Sequence, residues 1–154
     1  MTSAKQFLES WNRHRLVTVE LVDLIGEEHL NFKPWDGAMT LGELVIHMMT
    51  SGTWFTSAVT SGVLGKPGDK PEISTMADLK KYVHETTDAT NAVLSSLTDE
   101  QMDKLIDATK VFKVNMPAIV LLSAMRDHEI HHKGQLFVYA RMTGVQNPPM
   151  FVKH

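Results

Sequence analysis

The chain has 154 residues, 43% of them apolar and 21% charged, with 15 basic against 18 acidic side chains and no cysteine. That is the size and composition of one folded domain, 1–154, able to bury about two-thirds of its unfolded surface without a covalent staple. The missing thiols exclude a disulfide framework, an iron–sulfur cluster, a thiolate metal site and a cysteine nucleophile, and a net charge of −3 with no basic run longer than Lys80-Lys81 weighs against nucleic acid as a partner.

The stretch from Met1 to Gln6 leads into a charged amphipathic segment and not an apolar signal core. A first helix is predicted from about Ala4 to Ile25, with Ser3 as N-cap and Gly26 as the stop. Phe7, Trp11, Leu21 and Ile25 form its apolar stripe, and charged Glu9, Arg13 and Arg15 are placed elsewhere. Pro34-Trp35-Asp36-Gly37 punctuates the loop that follows. The second helix begins at Thr40, where Thr40-Leu41-Gly42-Glu43 fits a capping box, and runs to about Ser61. Residues 62–74, rich in Gly, Pro and Lys, make a connection long enough to cross over a bundle.

A third helix follows Thr75, with apolar Leu79, Tyr82, Val83, Leu94 and Leu97. Its polar centre, Glu85-Thr86-Thr87-Asp88, marks it as the weakest. Thr98-Asp99-Glu100-Gln101 can cap a short extra turn. Lys110-Val111-Phe112-Lys113-Val114 alternates like a short strand. Pro117 suits the first turn of the last helix, which extends to about Thr143 and stops at Gly144 before Asn147-Pro148-Pro149. The most apolar run, Pro117 to Met125, is about half a membrane span. It is apolar nearly all round, which suggests that part of it packs on a second subunit. These elements predict an all-α, up-and-down four-helix bundle with a long connection between helices 2 and 3, cytoplasmic and without a membrane partner.

On a helical wheel of the last helix, Leu121, Met125, His128, His132, Gln135, Tyr139 and Met142 fall in one stripe, apolar at both ends and polar in the middle. His128 and His132 are four apart, so two imidazoles can converge on one ion. Eight histidines give roughly 0.4 such pairs by chance, so the spacing alone is weak. Position strengthens it: a core stripe interrupted by imidazoles and an amide needs a reason, because an unpaired buried polar group costs about 1–3 kcal/mol. His47 shares a face of the second helix with Leu44, Ser51, Trp54 and Ala58 and points the same way. One histidine on one helix and a same-face pair on another is how bundles build metal sites. His131, three residues after His128, keeps the 128/131 pair open beside 128/132. Glu43 can orient or ligate His47, though the capping box already accounts for it. Asp127 and Glu129 lie about 100° to either side of His128 and are expected to meet solvent or an adjacent helix.

At these residues the sequence resembles the DinB family, the DNA-damage-inducible, DinB/YfiT-like metalloenzymes. Thr40-Leu41-Gly42-Glu43-Leu44-Val45-Ile46-His47 looks like its first histidine motif. His128-Glu129-Ile130-His131-His132-Lys133-Gly134-Gln135 looks like its H-x-x-x-H-x-G-Q motif, and residues 144–149 fit the tail. The resemblance implies a four-helix bundle with one divalent metal ion, zinc or nickel, on His47, His128 and His132, which selects His132 over His131. It implies a homodimer, and a small-molecule substrate that in some relatives is a low-molecular-weight thiol. The family name records induction by DNA damage and is no evidence of DNA binding.

Three neutral imidazoles leave a coordination position open for water or a thiolate. The first expectation is a thiol-dependent S-transferase or a metal-dependent hydrolase acting on a small molecule. The rival is a non-catalytic metal-binding or stress-response protein with a structural or sensory metal, and a bundle without metal is the third reading. Metal affinity is expected to fall as pH drops through about 6.5, where imidazole protonates. The catalytic residues, the substrate and the roles of His131 and Glu43 stay open.

Overall fold

Side-chain capping starts three of the four long helices of the computed structural model, which describes residues 3–154; Met1 and Thr2 of the N-terminal stretch lie outside the described residues. Helix α1 (Ala4–Asp23) begins at Ser3, whose hydroxyl accepts from the Gln6 amide while the Gln6 side chain accepts from the Ser3 N–H. Thr40 and Glu43 make the same reciprocal pair at the start of α2 (Leu41–Ser61), and Thr75 caps α3 (Met76–Ser96). Each cap satisfies N–H groups that a helix start leaves without partners. Thr98 and Gln101 cap the one-turn α4 (Asp99–Met102) in the same way. Gly62 ends α2 at φ 86°, a left-handed conformation that only glycine adopts without strain.

Helix α1 stops two residues before the predicted end. The Ile25 amide already bonds the Val22 carbonyl in a tighter turn, and Gly26 opens a 3₁₀ turn, Glu27–His29, at an ordinary φ of −68°. The last helix, α6 (Ala118–Met142), is capped by Pro117, which stands just outside it and not in its first turn; Gly144 follows at φ 99°.

Lys110–Val114, which alternates like a short strand, is not one. Thr109–Phe112 forms a single helical turn, α5, and Lys113 closes it at φ 63°. The Asp107 carboxylate starts this turn by accepting from the Thr109 amide at 3.0 Å and its hydroxyl at 2.6 Å. The strands flank the turn instead: β1 (Leu105–Asp107) pairs antiparallel with β2 (Asn115–Pro117), with Ile106 opposite Met116. Hydrogen bonds from Leu64 to the Asp107 carbonyl and from Asp107 to the Gly62 carbonyl tie this hairpin to the end of α2.

The four long helices pack in a ring, α1 against α3 and α6, and α2 against α3 and α6. Much of the apolar run Pro117–Met125 is covered by the chain itself: Ala118, Leu121, Leu122 and Met125 are buried, and Val120 stays exposed. No helix among the described residues is long and apolar enough to cross a membrane.

Two apolar clusters make up the core. One gathers Val17, Leu21, Leu44, Met48, Val83 and Leu136; the other gathers Phe7, Trp11, Phe55, Leu94, Leu121 and Met125. Between them lies a layer of buried polar side chains from α1, α3 and α6, namely Arg15, Thr86, Thr87, Thr90, Glu129 and His132, with Gly52 of α2 facing Arg15. Arg15 is 1% exposed and Glu129 3%. The Arg15 guanidinium pairs with the Glu129 carboxylate, reaches Thr87 Oγ1 at 3.4 Å and lies 4.8 Å from the Trp11 ring centre. Gly52 makes room for it, since a Cβ there would come within 3.1 Å of Arg15 Nη2. Arg15 is therefore in the core, although the sequence places it off the apolar stripe of α1. The polar centre of α3 is one side of this layer, with Thr86 and Thr87 turned inward.

Lys133, also 3% exposed, extends the layer toward the C-terminal tail: its ammonium donates to His14 Nδ1 at 2.8 Å and to the Phe151 carbonyl. Burial, then the charges of Lys133 and Arg126, hold the His14 imidazole down at about pKa 4, against 6.5 for a free imidazole. The unfolded chain therefore takes up this proton before the folded one. Stability from this group is complete above pH 6.5 and is lost as pH falls toward 4. His14→Gln should flatten the pH dependence of urea midpoints between 6.5 and 4, and an unchanged slope would show that His14 titrates normally.

Candidate metal centre

His47 stands on α2 two turns after its capping box, and His128 and His132 stand one turn apart on α6. Because α2 packs directly on α6, the three side chains meet. His47 Nε2 lies 3.1 Å from His128 Nε2 and 3.2 Å from His132 Nε2, and the last two are 3.1 Å apart. The rings meet edge to face, with centroids 4.4–4.9 Å apart. Among the described residues, these three form the group whose nitrogens could hold a metal ion.

Hydrogen bonding alone cannot satisfy this triangle. A neutral ring nitrogen either donates or accepts, and three mutually adjacent nitrogens cannot alternate. Every assignment of protons leaves one pair facing like to like. A cation removes the conflict by taking all three lone pairs. The edges also fit: at metal–nitrogen bonds of about 2.0–2.1 Å, neighbouring ligands of a tetrahedral ion stand about 3.3–3.4 Å apart.

Two further features prepare the nitrogens to ligate. His132 Nδ1–H donates to Gln135 Oε1 at 2.7 Å, which leaves the Nε2 lone pair facing the centre. Burial, then the neighbouring His132, then Lys70, lower the pKa of His47. Burial, His132, His47 and His131 bring that of His128 to about 4. Both imidazoles are neutral at pH 7. Competition by protons at His128 thus begins at more acid pH than the 6.5 expected from a free imidazole.

The remaining candidates separate cleanly. The His131 side chain is exposed; its ring lies against that of His132 at 4.7 Å between centroids but is outside the triangle. Glu43 stays in its cap, with Oε2 accepting from the Thr40 amide at 2.8 Å. Asp127 is exposed. His128-Glu129-Ile130-His131-His132 also fits the H-E-x-x-H spacing of metalloproteases, whose glutamate acts as general base. Here Glu129 is turned into the core against Arg15, so it cannot serve the triangle in that way. Sequence reasoning missed the buried Arg15–Glu129 pair, although Arg15 stands four residues after Trp11 on the same side of α1.

His47 and His128 are half-buried and His132 is buried, so the triangle is reached from one side. Two clefts lie along the helices that carry the histidines, without being lined by them. One, of about 360 Å³, begins at Gln135 and runs along α6. The other, of about 300 Å³, follows α2 from Thr50 to Ser57 and is roofed by Lys66 and Asp69 of the long connection; Trp54 Nε1 pins that connection by donating to the Gly65 carbonyl at 3.0 Å.

The sequence profile of the DinB family matches residues 1–153. An uncharacterised Bacillus subtilis protein, YjoA, is 36% identical over 151 residues, which cover 98% of this chain and 97% of that protein. A second uncharacterised B. subtilis protein, YrdA, is 24% identical over 146 residues, covering 94% and 86%. The crystal structure of the DinB-like YjoA superposes with a TM-score of 0.85 at 35% identity over 97% of this chain and 99% of that one. That of a DinB-like protein from Bacillus cereus gives 0.81 at 25% identity, over 96% and 97%.

Proposed function

This chain belongs to the DinB family, and on that premise we propose that it is a metalloenzyme holding one divalent ion, zinc or nickel, on His47, His128 and His132. The observation that carries the reading is the triangle of Nε2 atoms 3.1–3.2 Å apart, whose lone pairs no arrangement of protons can pair. Three nitrogen donors with no thiolate suit zinc and nickel. A divalent ion bound there would supply Lewis acidity, lowering the pKa of a water or thiol brought to its open position.

The chain's own groups supply the rest. Gln135 fixes the tautomer and ring orientation of His132. The cleft along α2 offers the Thr50 and Ser57 hydroxyls, the Lys66 ammonium and the Asp69 carboxylate, which suits a polar low-molecular-weight thiol as the nucleophile. The reaction this supports best is thiol transfer to a small electrophile, with hydrolysis as the variant in which water takes the thiol's place. In this reading the four helices are an up-and-down bundle crossed by the long connection, and the protein works in the cytoplasm as a homodimer, with Val120 and Met142 among the apolar side chains left exposed on α6.

The rival, a structural metal, is disfavoured because both apolar clusters close without the histidines. Chelation discriminates. The tag-free protein, purified with its metal and then stripped, should keep its helical circular dichroism and cooperative unfolding while losing thiol-dependent turnover in a screen of thiols and electrophiles. Loss of helix on chelation would establish a structural metal instead.

A further inference from the structure

The cleft beside Gln135 is built, and its chemistry differs from that of the cleft along α2. Its walls are Trp35, Ala38 and Met39 from the loop before α2, and Val138 and Tyr139 from α6. The loop is tied down on both sides. Tyr139 Oη donates to the Met39 carbonyl at 2.9 Å, the Ala38 amide closes a turn on the Trp35 carbonyl at 3.1 Å, and the Leu41 amide bonds Phe32 at 2.8 Å. The Phe32 ring meets Tyr139 edge-on at 6.0 Å.

This wall nevertheless leaves apolar surface in water. Trp35 is 65% exposed, and Met39 and Val138 are exposed too. A tryptophan held at the mouth of a pinned concave cleft is an unfilled apolar contact. The one side-chain amide in the lining is that of Gln135. Its Oε1 is occupied by His132, while its NH₂ donates to no partner among the described residues.

We propose that this cleft binds the electrophilic substrate, a small molecule with one or two aromatic rings and a carbonyl-type oxygen, with the rings between Trp35 and Val138 and the oxygen accepting from Gln135 Nε2. Its role in turnover rests on the metal reading above, whereas the binding itself does not. One end of the ligand lies at Gln135, which orients His132 from its Nδ1 edge, and the polar cleft along α2 remains for the nucleophile. Aromatic side chains and an amide are a common basis for small-ligand recognition, and a volume of about 360 Å³ lies within the range of such pockets.

The test is calorimetric titration of the metal-free protein with 2-naphthamide and with 2-ethylnaphthalene, which keeps the rings and lacks the carbonyl. Both should bind saturably, the amide more tightly. Val138→Asp, an exposed helical position that tolerates the change, should weaken both by about tenfold or more, because it sets a charge against the rings. Trp35→Ala should do the same. Gln135→Leu should weaken 2-naphthamide by about five- to tenfold and leave 2-ethylnaphthalene unchanged. Unchanged affinity in Val138→Asp and Trp35→Ala would overturn the proposal, as would a wild-type dimer that Val138→Asp disperses, since a second copy would then cover the cleft. A protein that binds the probe but no zinc would refute the metal reading alone; one that binds zinc but no probe would refute this one alone.

Discussion

Glu129→Ala should lower the unfolding free energy by about 3–5 kcal/mol, the range for a buried charge stripped of its partner. Arg15 is 1% exposed and enclosed by Trp11, Thr87 and Gly52, so it has no route to water when the carboxylate is removed. Thr87 at 3.4 Å cannot neutralise it. The pair itself need not be worth that much, because taking two charges out of water consumes most of what their attraction returns. Arg15→Met combined with Glu129→Leu should therefore recover most of the stability lost in the single variant. Urea midpoints on metal-free protein measure both effects. A loss below about 1 kcal/mol in Glu129→Ala would mean that water reaches Arg15 and that the polar layer is open.

His128→Ala should weaken zinc or nickel binding by about a hundredfold or more, because losing a ligand exceeds the 10–100-fold typical of losing an outer-shell partner. Helix content should not change, since the apolar clusters on either side of the polar layer do not include the histidine. His131→Ala should stay within about threefold of the wild type: its ring only leans on His132 and its nitrogens are outside the triangle. Competition titration with a chromophoric chelator reads both affinities. Equal, wild-type affinities in the two variants would remove His128 from the site.

Much of the helical frame was legible because the rules that set it are local. Thr40 with Glu43, and Thr98 with Gln101, each satisfy a helix start within four residues, so the caps can be read directly from the chain. The meeting of His47 with His128 and His132 was legible from same-face spacing, and the family motif singled out His132 from His131. What escaped was non-local. By sequence Arg15 falls off the apolar stripe, and Glu129 meets solvent or an adjacent helix; only their approach across 114 residues makes them a buried pair. The polar centre of α3 read as weakness for the same reason: Thr87 acquires its partner only when α1 packs beside it. Residues 110–114 misled in a different way. Five alternating residues fit a strand, but the Asp107 carboxylate captures Thr109 and bends the chain into a turn, which pushes the strands to either side. Alternation over so short a window carries less weight than a side chain able to start a turn.

X-ray absorption at the metal edge, on tag-free protein loaded with one equivalent of zinc, tests the three-histidine centre most directly. Three imidazole nitrogens at about 2.0–2.1 Å, completed by light atoms from solvent, are the expected shell, and any zinc held by His128→Ala should show fewer imidazoles. A shell with one imidazole or none in the wild type, or an unchanged three-imidazole shell in His128→Ala, would contradict a metal held by His47, His128 and His132.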